Sequence, residues 1–194
     1  MNGLAQKIGS GAAVFMAVLM VLSVAVAPAA AADGDFNSAN VITPDPIPAG
    51  ESDVSQDLTT ESDDMQIDVT SGTDNTDVSI RVDISDLPDG TVTSDTSVAV
   101  DTSSISGADT VNFNTVDETE EIAYISVKSD GSNSDIVDFD DGALTLTGLD
   151  TTGASSQSGL EYVVRTDQRV DPQSSNFETQ DLQTSDTFSI ANIE

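Results

Sequence analysis

The sequence contains no cysteine, no histidine and no tryptophan, and it has only two tyrosines. Without cysteine there are no disulfide bonds and no thiol catalysis, and without histidine there is no ordinary Ser-His-Asp triad and no His-ligated metal. Few aromatic rings are present to stack on a sugar, and no pair among the 35 acidic residues is distinguished as a glycosidase pair. The composition therefore indicates a protein that is not an enzyme.

Basic residues are also scarce. The chain has five lysines and arginines against 35 aspartates and glutamates, and its formal net charge is −30. All 35 acidic residues follow Ala32. Such a surface repels nucleic acids, which we therefore exclude as partners. At 1 M salt the Debye length is about 3 Å, so concentrated ions screen most of the repulsion. We interpret the composition as an adaptation to very salty water; a disordered acidic segment is the alternative for residues 33–64.

The first 32 residues have the arrangement of a secretory signal peptide. Lys7 supplies a positive charge, residues 12–27 are apolar apart from one serine, and Pro28 precedes the small residues 30–32. We expect cleavage after these small residues and no membrane insertion once the signal peptide is removed. The alternative is an uncleaved anchor, although an apolar run of about 16 residues is short of the roughly 20 that span a bilayer.

The stretch AVFMAVLMVLSVAVAPAAAA, with its core VLMVLSV, resembles the signal peptide of haloarchaeal surface glycoproteins. The resemblance implies a haloarchaeal protein that is exported and is located outside the cell or at its surface. The composition does not separate a host protein from a protein of a haloarchaeal virus, so both origins stay open.

Residues 33–64 are predicted to form an extended acidic arm. Pro44, Pro46 and Pro48 favour extended backbone and remove amide donors. Residues 36–48 are a candidate strand for donation to a neighbouring sheet edge; a loose tail, and pairing of the arm with its own domain, are the other interpretations. Its candidate anchors for assembly are apolar: Phe36, Val41, Ile42 and Ile47.

Residues 65–194 are predicted to form a single antiparallel, immunoglobulin-like β-sandwich, so that the fold class is all-β with an extended N-terminal arm. From residue 33 onward, isoleucine and valine outnumber leucine by 26 to 7, and β-branched residues suit strands. Apolar residues alternate with polar ones over residues 78–84, which is typical of a half-buried strand. Further predicted strands are 66–69, 97–101, 110–116, 122–128, 135–139, 143–147, 160–166 and 187–193.

An acidic stretch late in the chain has the composition of a calcium-binding loop. Calcium takes six to eight oxygen ligands, which carboxylates, amides and backbone carbonyls supply. The spacing is not that of an EF-hand, and a solvated acidic loop is the alternative. Calcium is the one candidate cofactor, with these candidate ligands: Asp130, Asn133, Asp135, Asp138 and Asp140.

Four basic residues follow the signal segment: Arg81, Lys128, Arg165 and Arg169. In so acidic a chain we expect each to pair with carboxylates, mostly in surface ion pairs that contribute under about 1 kcal/mol. As an alternative, Arg165 and Arg169 form a docking point for an acidic neighbour.

Export, the absence of recognisable catalytic residues and the arm together favour an extracellular structural protein that assembles with itself into a filament, a sheath or a surface coat. The expected partner is a further copy of the chain, in a homo-oligomer or polymer. Two other hypotheses are kept: a secreted soluble module that binds a glycan or a cation, and a structural protein of a virion.

Overall fold

The computed structural model describes residues 34–37, 42–61, 65–69, 77–129, 136–168 and 171–192. The predicted signal segment lies outside these ranges. The described chain contains fourteen strands and one short 3₁₀ turn at Thr102–Ser104. The strands are β1 (Ile47–Pro48), β2 (Val54–Asp57), β3 (Met65–Asp68), β4 (Asp77–Asp83), β5 (Ser97–Val100), β6 (Ile105–Ser106), β7 (Ala108–Asp117), β8 (Ile122–Ser129), β9 (Ile136–Phe139), β10 (Leu144–Leu149), β11 (Gln157–Leu160), β12 (Val163–Gln168), β13 (Asp181–Thr184) and β14 (Phe188–Ala191).

The prediction of an all-β fold is confirmed. The alternating pattern of residues 78–84 forms β4, whose side chains Val78, Ile80 and Val82 are fully buried on one face. The opposite face of the same strand carries Arg81 and Asp83, both half-buried. This is the two-residue period expected when one face of a strand packs on the core.

β4 is the central strand of a five-stranded sheet with the order β13-β12-β4-β8-β7. All its pairings are antiparallel. The register places Arg81 opposite Arg165 on one side and opposite Tyr124 on the other. The outer face of this sheet therefore carries a row of charged and aromatic side chains.

Three smaller sheets have the orders β2-β10-β5, β1-β14-β11 and β3-β9-β6. Among the named strands, the pairing of β1 with β14 is the parallel one, and the others are antiparallel. The segment 42–48 lies between β2 and β14, because Thr43 and Asp45 donate their backbone amides to the carbonyls of Leu58 and Asp57. It joins two of the small sheets edge to edge.

The inward faces of all four sheets contribute to one hydrophobic cluster. Strands that meet around a shared apolar interior are the arrangement expected of a sandwich. The largest side chains with almost no exposure in this core are Tyr162, Phe139, Ile42, Ile47, Leu58, Met65, Ile67, Ile80, Ile84, Ile125, Leu144 and Leu146.

The predicted boundary between an arm and a domain at residue 64 is corrected by the structure. Residues 42–61 include β1 and β2, and their apolar side chains Ile42, Ile47, Val54 and Leu58 belong to the common core. The region from residue 31 onward forms one compact unit. The prolines, which led to the expectation of an arm, lie in a segment that completes the fold.

A glycine in β10 fixes the packing of a neighbouring loop. Gly148 has a φ of 71°, and a Cβ atom built on it would lie 2.3 Å from the carbonyl oxygen of Asp95. The register of β10 against β2 shifts at this point, between Leu146 and Leu149. Only glycine allows this close approach, so the bulge brings the loop around Asp95 against the sheet.

Candidate functional site

The candidate site is the slot that lies between β2 and β14, together with the chain that fills it. We call residues 34–37 and 42–48 the N-terminal segment. On one side of the slot, Thr43 N donates to Leu58 O at 2.9 Å. On the other side, Ile42 O accepts from Asp186 N at 3.1 Å, and Ile47 lies opposite Ile190 in β14. The segment therefore occupies the middle of a sheet and has a neighbour along each edge.

Two side chains anchor the segment in the slot. Ile42 is 0% exposed and Ile47 is 1% exposed. Complete burial of an isoleucine side chain contributes about 1.5–3 kcal/mol. Both residues were predicted as assembly anchors, and the structure shows each one buried within its own chain.

A series of buried hydrogen bonds fixes the position of the segment along the slot. Gln56 is 1% exposed, and its side-chain amide donates to the carbonyl oxygen of Asp45 at 2.7 Å. The side-chain oxygen of Gln56 accepts from the hydroxyl of Tyr162 at 2.6 Å. Tyr162 is fully buried and its ring packs on Phe188, with the ring centroids 4.6 Å apart. A sliding segment would leave these buried groups without partners, so the contacts select one register.

The first part of the segment pairs with β3. Asp68 N donates to Asp35 O at 2.8 Å, and Asp68 O accepts from Gly34 N at 2.7 Å. Phe36, a third predicted anchor, forms an isolated antiparallel bridge with Ile67 and is half-buried. Together with its bonds to β2 and β14, the segment therefore pairs with strands of all three small sheets.

Contacts from β12 and β13 also hold this first part. The hydroxyl of Thr166 donates to the carbonyl oxygen of Gly34. Phe36 N donates to the Asp181 carboxylate at 3.1 Å, and the Gln180 side chain donates to Asp35 at 3.0 Å. These bonds link the segment to the five-stranded sheet.

The three prolines limit the hydrogen bonds that the segment can make. Pro44, Pro46 and Pro48 have no amide hydrogen, so the strand cannot donate from these positions. Proline is ordinarily confined to edge strands. A strand with a proline at every second position in the middle of a sheet depends more on its buried side chains than on its backbone bonds.

The loop 49–53 connects the segment to β2, and Thr151 holds it. The Thr151 hydroxyl lies 2.7 Å from Pro48 O and 3.0 Å from Glu51 O, and it accepts from Glu51 N at 3.1 Å. Thr151 is 0% exposed. In the same loop Asp53 has a φ of 57°, a conformation uncommon for a residue other than glycine.

Three of the four anchors predicted from the sequence lie in this segment, whereas the residues that surround it were not predicted. Val41, the remaining predicted anchor, lies outside the described residues. The sequence did not predict the roles of Gln56, Tyr162 and Thr151, because it does not show which hydrogen-bond partner a single polar residue among apolar ones will have. The alternation of Val54, Gln56 and Leu58 was the available signal for a strand at this position.

The predicted calcium site is not assembled by the described residues. Asp130, Asn133 and Asp135 lie outside the part of the chain that the structure describes. Asp138 is in β9, opposite Gln66 and Ser106, and Asp140 follows the end of that strand. No group of three or more acidic side chains with metal-binding geometry occurs in the described ranges. Calcium binding stays a prediction.

An open acidic cleft of about 420 Å³ lies beside the loop 49–53. Hydrogen bonds from the hydroxyl and the backbone amide of Thr152 lower the pKa of Asp150, one of the carboxyls that line it. The cleft is wide and polar and presents negative charge, so it does not favour an anionic ligand. It is lined by Ser52, Asp53, Thr93, Asp95, Gly148 and Asp150.

Residues 171–178 lie against the outer face of the five-stranded sheet. Arg81 donates to Pro172 O at 2.6 Å and to Ser174 O at 2.8 Å, and its guanidinium carbon lies 4.0 Å from the centre of the Phe177 ring. We call residues 171–178 the strap. Glu178 N donates to the buried Asp167 carboxylate at 2.9 Å and fixes the far end of the strap.

Arg165 lies beside Arg81 and makes an ion pair of the kind expected from the sequence, 3.3 Å from the Asp83 carboxylate. Burial acts to raise the pKa of Asp83, but hydrogen bonds from Ser85 and the Arg165 side chain outweigh it, and the pKa is lowered. The Arg165 side chain is 30% exposed and the Asp83 side chain is 26% exposed. The pair is therefore worth little in water.

Within the ranges that the structure covers, there is no helix of the length and hydrophobicity needed to cross a membrane. Comparison with known proteins gives no match to a family model, to a curated protein or to a solved structure.

Proposed function

We propose that the protein is an exported, non-enzymatic structural subunit that assembles with copies of itself outside a haloarchaeal cell, in a filament, a sheath or a surface coat. The observation that carries the proposal is the slot between β2 and β14. It is filled by a segment from the N-terminal part of the chain, whose side chains Ile42 and Ile47 are buried.

A slot of this kind is a strong site for strand pairing. Backbone groups along both of its edges make hydrogen bonds with whatever strand lies in it, and apolar pockets select the side chains at alternate positions. The same chemistry operates whether the inserted strand belongs to the same chain or to a neighbour. A protein that already builds a sheet in this way has a ready means of joining subunits.

The charge distribution supports assembly in concentrated salt. The net charge is −30, and much of it lies at the surface. Copies of such a protein repel one another in dilute buffer. At 1 M salt the Debye length falls to about 3 Å, and most of this repulsion is screened. Exposed acidic side chains include Asp45, Asp86, Asp95, Asp141, Glu161 and Asp186.

The experiment is to express the full chain in a salt-requiring host and to purify it in molar NaCl. We expect ordered polymers in negative-stain electron microscopy, large particles in light scattering, and a subunit mass that corresponds to loss of residues 1–32. Dilution into millimolar salt should dissolve the polymers. Particles that remain monomeric in molar salt at every concentration would contradict the proposal, and saturable heat with a glycan or calcium would then favour a binding module.

A further inference from the structure

We infer that the N-terminal segment is exchanged between copies, so that the segment of one chain fills the slot between β2 and β14 of the next chain. This inference rests on the proposed function and names the partner and the contact through which assembly occurs. The partner is a second copy of this chain, and the contact is the slot described above.

The contacts of the segment do not require it to belong to the same chain. It bonds to β2, β3, β12 and β14, and each of these strands can belong to another copy; the loop 49–53 is its covalent connection to β2. In an exchanged arrangement, the same groups make the same bonds with the neighbour. The exchange therefore loses no contact energy within the slot, which is why swapping of identical elements is a low-cost route to assembly.

The loop 49–53 is the hinge that exchange requires, and its bonds to Thr151 must open for the segment to leave. Asp53 adopts a left-handed conformation with a φ of 57°, which is uncommon for residues other than glycine, although aspartate adopts it more readily than most. An extended loop does not need this conformation. Five extended residues span about 17 Å, which is sufficient to carry the segment away from its own slot.

The exchange also predicts the form of the assembly. The donor surface is the N-terminal segment and the acceptor surface is the slot, so the contact joins two different patches. A contact between different patches is repeated head to tail, and it produces an open filament whenever the rotation between subunits does not close a ring. This agrees with the filament or sheath that the proposed function calls for.

The net charge of each copy makes the exchange depend on salt. Within the slot the same carboxylates lie near one another whether the segment is exchanged or not, so their repulsion does not favour either arrangement. Exchange does bring two chains together, and each carries a formal charge of −30. The repulsion between the two chains is weak when the Debye length is about 3 Å and strong when it is about 30 Å, in roughly 0.01 M salt. Exchange should therefore proceed in molar salt and stop in dilute buffer.

The absence of native cysteine allows a direct test by cross-linking. Pro48 and Ala191 are register partners on β1 and β14, and the double variant Pro48→Cys/Ala191→Cys places two thiols opposite each other. The matched control is Ser97→Cys/Thr147→Cys, which joins β5 to β10 at a pair whose hydroxyl oxygens are 2.9 Å apart. Each variant is assembled in molar NaCl, oxidised, and separated on a denaturing gel without reductant.

With exchange, the Pro48→Cys/Ala191→Cys variant gives a ladder of covalent dimers and larger species, whereas the control gives cross-linked monomer only. Cross-linked monomer from both variants would overturn the exchange. If negative-stain images still show polymers in that case, the proposed function stands on another contact; if they show none, both fail. A control that links while the test pair does not link would also overturn the exchange, because the segment would then not lie in the slot.

A hinge variant provides an independent measurement. Insertion of four glycine or serine residues after Ser52 makes it easier for the segment to fold back into its own slot, and it should shift the protein from polymers toward monomers at equal concentration. The same insertion between Glu118 and Thr119, in the exposed turn that joins β7 to β8, is the control and should leave assembly unchanged. Equal assembly by both insertion variants would count against exchange.

Discussion

The guanidinium carbon of Arg81 lies 4.0 Å from the centre of the Phe177 ring and 5.5 Å from the centre of the Tyr124 ring. One arginine therefore joins the strap to the outer face of the five-stranded sheet. In a chain with 35 acidic residues, this cation is used for backbone carbonyls and aromatic faces.

We expect Arg81→Met to destabilise the protein by about 2 kcal/mol, because two hydrogen bonds from a charged donor and a cation–π contact are lost. Arg81→Lys should recover only part of this, since lysine has no planar fork. Urea unfolding in molar NaCl measures the change, and hydrogen exchange should increase in residues 171–178. Arg165→Met is the control and should cost under about 1 kcal/mol. Equal losses from both would refute the special role of Arg81.

The anchor Ile47 gives a second prediction. Ile47→Ala removes buried side-chain atoms from the middle of a sheet and should cost about 3 kcal/mol, mostly through the cavity that it leaves. Leu182→Ala, at a residue that is 49% exposed, should change stability by less than about 0.5 kcal/mol. Urea unfolding of the two variants under the same salt conditions makes the comparison. An Ile47→Ala loss as small as that of Leu182→Ala would show that the slot does not bury this side chain.

The pair formed by Gln56 and Tyr162 gives a third prediction. Tyr162→Phe leaves the buried side-chain oxygen of Gln56 without its donor and should cost about 1–2 kcal/mol. Gln56→Leu should also destabilise, and the double variant should lose less than the sum of the two single losses, because the groups share one bond. The four unfolding free energies form a cycle that measures the coupling. Simple additivity would indicate that the hydroxyl and the amide do not interact.

Tyrosine ionisation gives a fourth prediction. Burial, together with the hydrogen bond from the Tyr124 hydroxyl to the Glu120 carboxylate at 2.6 Å, raises the pKa of Tyr124 to about 12. Burial raises the pKa of Tyr162 as well. Since the folded pKa is above the unfolded value of about 10, the resulting stabilisation is present below pH 10 and is lost as the pH rises through about 12.

Tyrosinate absorbance should therefore stay flat in the folded protein up to a pH well above 10, whereas the urea-unfolded chain should titrate near 10. Glu120→Gln keeps a hydrogen-bond acceptor but removes the negative charge, so the first tyrosine transition should move to lower pH. A folded protein in which both tyrosines titrate near pH 10 would contradict this environment.

The dependence on salt gives a fifth prediction. The melting temperature should rise steeply between millimolar and molar NaCl, because screening reduces the repulsion among carboxylates. Sucrose, which strengthens apolar burial without screening charges, is the control and should raise it much less. Circular dichroism follows both titrations. A melting temperature that does not change with NaCl would remove the argument that the acidic surface is adapted to salt.

Much of the sheet structure could be predicted, because burial on one face leaves a two-residue pattern. This applies to β4, where isoleucine and valine alternate with polar residues. The strand predicted at 160–166 is interrupted at Tyr162, whose amide bonds the Ser185 hydroxyl instead of a neighbouring strand. β11 and β13 were missed because Gln157-Ser158-Gly159 and Asp181-Leu182-Gln183-Thr184 contain few apolar residues, as suits exposed edge strands.

The position of the N-terminal segment could not be predicted for a different reason. Local pattern shows that Pro44, Pro46 and Pro48 favour extended backbone, but it does not show which strand lies alongside. That depends on pairing with residues near the other end of the described chain, such as Ile190. Ile42 and Ile47 are buried in the structure within their own chain, and their role in assembly stays a prediction; the strands beside them became visible only with the folded chain.

The parallel pairing of Ile47 with Ile190 has a consequence for how the molecule reaches its destination. One of the earliest described strands cannot find its partner until one of the latest has been made, so closure is slow and non-local. If the chain leaves the cell as proposed, it would stay unfolded, and therefore able to pass through a translocation channel, until almost its whole length had been exported. A chain stalled before Phe188 should accordingly remain sensitive to protease, whereas the released protein should resist it.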